Sequence, residues 1–157
     1  MYIISGCLLG ENCKYNGGNN FTDWVLEFSK KHNFISVCPE IMGGLEAPRS
    51  PVEIVNGRAI NMLGEDVTDA FVKGCELVWE KTLAYAKELG EEIEGAILKA
   101  KSPSCGSGII YDGTFSHIEI EGNGFLAAYL KEKGIKIVNE FDLNYYIIED
   151  NGQCSFY

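Results

Sequence analysis

The chain has 157 residues, 46% of them hydrophobic and 23% charged, the proportions of a soluble globular protein with a real core. Its formal net charge of −10 argues against a large nucleic-acid footprint, which depends on neutralising phosphates. No apolar run approaches the roughly 20 residues that span a bilayer, and the N-terminus lacks the basic start and long apolar stretch of a signal peptide. The expectation is a cytoplasmic protein with one domain over 1–157 and no membrane partner. Its six cysteines would be reduced thiols there, and their number calls for packing, metal binding or catalysis.

Tyr2-Ile-Ile4 predicts a first strand, followed by a long loop rich in Gly and Asn that carries Cys7 and Cys13. Asn20 is placed to cap a helix whose apolar face is Phe21, Trp24, Val25 and Phe28. Phe34-Ile-Ser-Val37 predicts strand 2, and Cys38 follows it directly. The stretch from Cys38 to Pro51 reads as irregular, because its prolines oppose regular structure. Val52–Val55 and Arg58–Met62 flank Asn56-Gly57, a favoured hairpin turn.

A long helix follows, with Asp66 as its cap, Phe71, Gly74, Cys75 and Val78 on its buried stripe, and Gly90 as its stop. Gly95–Leu98 predicts strand 3 and leads into Lys99-Ala-Lys-Ser-Pro-Ser-Cys-Gly-Ser-Gly108. Ile109–Tyr111 and Thr114–Phe115 read as a second small hairpin. A helix over 124–133 and strand 4 over 135–138 complete the pattern, and residues 143–157 form a C-terminal tail. Strands alternating with helices imply an α/β domain, a three-layer Rossmann-like arrangement with a mainly parallel sheet of about four strands plus a small β-hairpin.

Ligands of such sheets bind beyond the carboxyl ends of the strands, and Cys7, Cys38 and Cys105 all fall at that edge. Cysteine thiolates ligate zinc and iron–sulfur clusters. The chain has no Cys-x-x-Cys pair, so ligands would arrive singly from three loops. Three ligands on a four-iron cluster leave one iron open, a Lewis acid with affinity for sulfur. Cys13 is placed to supply a fourth ligand and close such a site. Glu40 lies at the same edge and suits a general base. Ser102 and Ser104 flank Pro103, and the residues alone do not choose between them. Arg49, Lys99 and Lys101 are the cations placed to meet an anion. Cys75 reads as core, Cys154 as a free thiol, and His32 and His117 as surface residues.

Three ordered blocks carry a resemblance to a known family. They are Ser5-Gly-Cys-Leu-Leu-Gly10 with Cys13-Lys-Tyr-Asn-Gly17, Cys38-Pro-Glu-Ile-Met-Gly-Gly-Leu45 with Pro48-Arg49, and Leu98-Lys-Ala-Lys-Ser-Pro-Ser-Cys-Gly106. Gly113-Thr-Phe-Ser116 and the helix after Gly122 agree as well. Over about residues 1–142 the chain resembles the thiouracil desulfidase (TudS-type) family, once a domain of unknown function. The resemblance implies a [4Fe-4S] cluster on Cys7, Cys38 and Cys105 with one iron not bound by protein. It implies non-redox replacement of the sulfur of a thiolated uracil by water oxygen, with sulfur leaving as hydrosulfide. Glu40 and Ser102 match the family's acid–base positions, and Cys13 matches a family cysteine.

Some members carry a second domain, and none is expected here. A small-molecule thiolated nucleobase or nucleotide, such as thiouracil or 4-thio-UMP, is therefore the expected substrate rather than tRNA. Arg49, Lys101 and Ser104 are the expected substrate contacts. Two rival readings stand beside this one: a metal-free thiol enzyme that passes sulfur through a cysteine persulfide, and a zinc- or cluster-stabilised binding module. The sequence carries no sign of the oligomeric state.

Overall fold

The computed structural model describes residues 1–142 and, beyond them, the backbone of two paired strands, β9 (Tyr146–Ile148) and β10 (Cys154–Phe156). The reading of Cys154 as a free thiol lies outside the described side chains. Four strands form one parallel sheet: β1 (Tyr2–Ser5), β2 (Phe34–Val37), β5 (Gly95–Ile97) and β8 (Ile137–Val138), in the order β2-β1-β5-β8. The register sets Ser5 beside Val37, Ile4 beside Ile97, and Ile97 beside Val138. The carboxyl ends of the strands are thus level, and the segments leaving them share one edge.

Both faces of the sheet are covered, which is why its strands are continuous apolar runs rather than alternating ones. Tyr2, Ile4 and Ile97 pack with Val25 and Phe28 of α1 (Asp23–Ser29). Ile3, Ala96 and Leu98 pack on the other face with Cys75 and Val78 of α3 (Thr68–Leu89) and with Leu126 and Leu130 of α4 (Phe125–Glu132). This is the expected three-layer α/β architecture. Among the described residues, no helix is long and apolar enough to cross a membrane.

Some elements differ from the sequence expectation. Helix α1 starts at Asp23 rather than after Asn20, because Asn20 N–H donates to Cys7 O and Thr22 N–H to Leu8 O, holding 20–22 against the preceding turn. Phe21 consequently stays outside the helix and 48% exposed. A short helix, α2 (Pro39–Met42), stands where irregular chain was expected. Pro39 occupies its first position, where proline's missing N–H has no intrahelical partner to lose. The hairpin of β3 (Val52–Val55) and β4 (Arg58–Asn61) forms as expected, with Asn56 and Gly57 both at positive φ.

The second hairpin pairs β6 (Ile109–Tyr111) with β7 (Glu119–Glu121), not with Thr114-Phe115. The buried Glu53 carboxylate accepts N–H groups from Gly113 and Phe115 at 3.0 and 3.1 Å, so residues 112–118 are held as a loop. Strand β8 is shorter than expected because Ile135 N–H is spent closing α4 onto Leu130 O.

Helix α2 packs on α3 backbone to backbone, through Gly43 and Gly74. A Cβ at Gly74 would overlap the Pro39 carbonyl, and one at Gly43 the Ala70 carbonyl. Gly74→Ala gains about 1 kcal/mol of helix propensity. Overlap with rigid backbone costs about 1–3 kcal/mol or more. The overlap is expected to win, giving a lower urea midpoint at unchanged m-value. A midpoint equal to or above wild type would show that α2 yields freely.

Candidate active site

Each of the three cysteine loops is built by a different local device. Cys7 sits in a single 3-10 turn, Gly6–Leu9, that begins as soon as β1 ends. Cys38 is the N-cap residue of α2, immediately after β2. Cys105 follows β5 in a loop that the start of α4 holds by its backbone. The first N–H groups of a helix lack intrahelical partners. In α4 they donate to the loop instead: Phe125 N–H to Pro103 O at 3.0 Å and Leu126 N–H to Ser104 O at 2.7 Å. Gly124 permits this approach, since a Cβ there would stand 2.7 Å from Ser104 O.

The entrance to the same loop is tied down twice. Buried Glu140 accepts the Ala100 N–H at 2.8 Å and the Lys99 ammonium at 2.7 Å. Ser5, 2% exposed, accepts the Lys99 N–H on its hydroxyl at 3.0 Å, joining the end of β1 to the end of β5.

These loops close around a cavity of about 400 Å³ whose wall includes Cys7, Cys13, Cys38 and Cys105. The four cysteines the sequence reading singled out therefore do come together. Cys75 lies away from them on α3, where burial pushes its thiol up to about 12, as suits a core residue. Hydrogen bonding with the Cys13 thiol lowers the pKa of both Cys7 and Cys38, overcoming their burial. Cys13 itself is held well above the ordinary thiol range by the same contacts, to Cys38 first and Cys7 second. Burial raises the Cys105 thiol, which is 5% exposed.

Soft sulfur donors without histidine are the chemistry of iron–sulfur and zinc sites. Among the described residues, no three His, Cys, Asp or Glu side chains close around a single metal ion. A cluster makes no such demand, because each cysteine binds a different iron. A donor set of separate loops around one cavity fits a cluster on those grounds.

Beside the sulfurs lies a chain of oxygens. The Ser104 hydroxyl, 2% exposed, donates to Glu40 Oε2 at 2.9 Å and stands 3.1 Å from the Ser102 hydroxyl oxygen. Ser102 Oγ accepts N–H groups from Ser104 at 3.2 Å and Cys105 at 3.0 Å. Arg49 donates from Nε to the other Glu40 oxygen at 3.2 Å, and from its two terminal nitrogens to Glu46 O and Cys13 O at 3.1 and 2.9 Å. It thereby joins the Glu40 helix to the Cys13 loop. Lys101 also faces the cavity, at φ +64, and pairs with Glu119 of β7.

The family model for 2-thiouracil desulfurase matches residues 2–142. The chain belongs to the 2-thiouracil desulfurase family. A solved structure of the [4Fe-4S]-dependent thiouracil desulfidase TudS superposes with a TM-score of 0.78 at 36% identity, covering 91% of this chain and 92% of that one. The uncharacterized protein YbbK of Bacillus subtilis (strain 168) is 40% identical over 154 residues, covering 92% of this chain and 98% of that protein.

In this desulfurase-family chain the cavity is also bordered by aromatic rings. Tyr15, Tyr111, Phe115 and His117 line it, with Tyr111 and His117 packed edge to face at 5.7 Å. Phe115 and His117 both hold φ of +58, an uncommon conformation for side chains of that size, which the Glu53 clamp sustains. His117 is exposed, as expected, yet borders the cavity. His32 is not a surface residue: it is half-buried and stacks on Phe28 at 4.2 Å.

Sequence reasoning missed Ser5, Glu53 and Glu140. A buried carboxylate satisfied by backbone N–H groups leaves no local pattern. The only available signal was that each is an isolated polar residue beside an apolar run.

Proposed function

We propose that this protein is a [4Fe-4S]-dependent, non-redox desulfidase. It would remove sulfur from a thiolated uracil or its nucleotide, giving the uracil carbonyl and hydrosulfide. One observation carries the reading: sulfurs from three strand-end loops line one cavity together with a hydrogen-bonded carboxylate and two hydroxyls.

Cys7, Cys38 and Cys105 would hold the cluster. When bound through three cysteines, it supplies an iron position with affinity for the soft thiocarbonyl sulfur. The chain's own residues do the rest. Glu40 accepts the proton of the water that adds to the ring carbon, and Ser102 sits on the cavity wall as the second proton-transfer group. Arg49 holds Glu40 in place through Oε1. Tyr15, Tyr111, Phe115 and His117 offer faces and edges to a planar pyrimidine. Lys101 and Arg49, which line the cavity, would be cationic contacts of the substrate. Cys13 stays an auxiliary thiol within reach of Cys7 and Cys38.

Anaerobic purification with iron and sulfide analysis tests this reading. A brown protein that releases sulfide from 2-thiouracil, 4-thiouracil or 4-thiouridine monophosphate is the expected result. A colourless, iron-free protein with the same activity would replace it with the metal-free persulfide reading.

A further inference from the structure

We propose that Ser104 is a positioning residue that joins Glu40 to Ser102, so that the two move a proton as one unit. The inference rests on the desulfidase reading and extends it to a residue that reading leaves without a role. The geometry assigns the protons. Ser104 has one hydroxyl proton, and the nearest strong acceptor is the carboxylate oxygen of Glu40 at 2.9 Å. The Cys105 sulfur, 3.8 Å from the same oxygen, is a weaker acceptor at longer range. The proton in the 3.1 Å contact between the two serines therefore belongs to Ser102.

Two backbone N–H groups, of Ser104 and Cys105, occupy the acceptor side of Ser102 Oγ and turn its O–H toward Ser104. Arg49 occupies Oε1 of Glu40, leaving Oε2 to Ser104. The backbone of Ser104 is clamped by Leu126 N–H on its carbonyl at 2.7 Å, so the hydroxyl is presented by a rigid support.

The relay balances. A water on the cavity side of Ser102 takes the place of the longer N–H contact, that of Ser104 at 3.2 Å. It gives a proton to Ser102 Oγ as Ser102 gives its own to Ser104 Oγ and Ser104 gives its own to Glu40 Oε2. Three O–H bonds break and three form. Both serines end neutral, Glu40 ends protonated, and the hydroxide adds to the ring carbon. The reverse shift returns the proton to the departing sulfur, which leaves as hydrosulfide, and the second water proton passes from the added hydroxyl to solvent as the ring carbonyl forms. Without the Ser104 hydroxyl, Glu40 and Ser102 remain in place but are disconnected.

Ser104→Ala and Ser104→Thr, prepared anaerobically, test the proposal. Ser104→Ala is expected to bind iron as wild type does and to lose about 10²-fold in kcat at unchanged KM. Ser104→Thr, which keeps the hydroxyl, should recover most of that loss. In single-turnover rates across H2O/D2O mixtures, the wild-type curve should bow, reporting several protons in flight, and the Ser104→Ala curve should straighten. Wild-type kcat in Ser104→Ala, no recovery in Ser104→Thr, or loss of iron in Ser104→Ala would each overturn it.

NMR of the metal-free wild-type protein gives an answer independent of turnover. The shielded Ser104 hydroxyl proton should be slow to exchange and close to the Glu40 Hγ and Ser102 Hβ protons. Contact with the Cys105 side chain alone would overturn the proposal even if the enzyme desulfurates thiouracil. If wild type releases no sulfide, that failure falls on the desulfidase reading, and this contact still decides the Ser104 arrangement.

Discussion

Cys7→Ala, Cys38→Ala and Cys105→Ala are each expected to purify with little or no iron, and Cys13→Ala with close to the wild-type amount of about four atoms per chain. The asymmetry follows from how the loops are supported. Cys7 and Cys38 leave the ends of the parallel strands β1 and β2, whose register fixes the backbone behind them, and the Cys105 loop is held by the first N–H groups of α4. Cys13 lies further out, in a loop whose ties to the body of the protein include the Arg49 contact to its carbonyl. Its thiol bonds to both Cys7 and Cys38, contacts that lower the pKa of those two and raise its own. Iron lost from Cys13→Ala as completely as from Cys7→Ala would mean a closed, four-cysteine site and would leave no position for substrate sulfur.

Glu40→Gln is expected to keep the iron and lose about 10²–10⁴-fold in kcat. The amide has nearly the shape of the carboxylate and still accepts the Ser104 hydroxyl through its oxygen. It is not a base at any working pH. The neighbouring Arg49 would face a neutral group in place of its charged partner, and its contacts to Glu46 O and Cys13 O would remain to hold the loop. Folding and loading should therefore survive. Comparing iron content with sulfide release in the same preparation checks this directly. Turnover within a few-fold of wild type would remove Glu40 from the mechanism.

Much of the architecture was legible because it rests on short-range patterns. Tyr2-Ile-Ile4, Phe34–Val37 and Gly95–Leu98 are apolar on both faces, as strands covered on both sides must be. Asn56-Gly57 supplies two residues that accept positive φ, and Gly90 ends α3 at φ +68. The errors lay where a distant partner overrode a local preference. Thr114-Phe115 has the composition of a strand, yet Glu53, some sixty residues earlier, takes the N–H groups of Gly113 and Phe115 while Asp112 takes that of Thr114, and the segment becomes a loop. Asn20 is a good cap by type, but its N–H is committed to Cys7 O. The short α2 escaped notice because proline opposes a helix everywhere except at its first turn, and only the following packing against Gly74 shows that a helix starts there.

The site divides along the same line. By itself the sequence determined the chemistry: three cysteines after three strands, a glutamate two residues past the second and a serine on each side of Pro103. Parallel pairing follows from the alternation of strands and helices, so the convergence of those cysteines at one sheet edge was already implied, whereas the strand order was not. Which serine touches Glu40, that Arg49 grips the same carboxylate, and that aromatic side chains at residues 111–117 wall the cavity were decided only by the tertiary structure. Each of those facts depends on a side-chain direction set by contacts between segments tens of residues apart, and a linear pattern holds no record of them. The Ser-Pro-Ser-Cys loop shows the difference most plainly: its composition announces a site, and the N-terminus of α4 determines how its hydroxyls point.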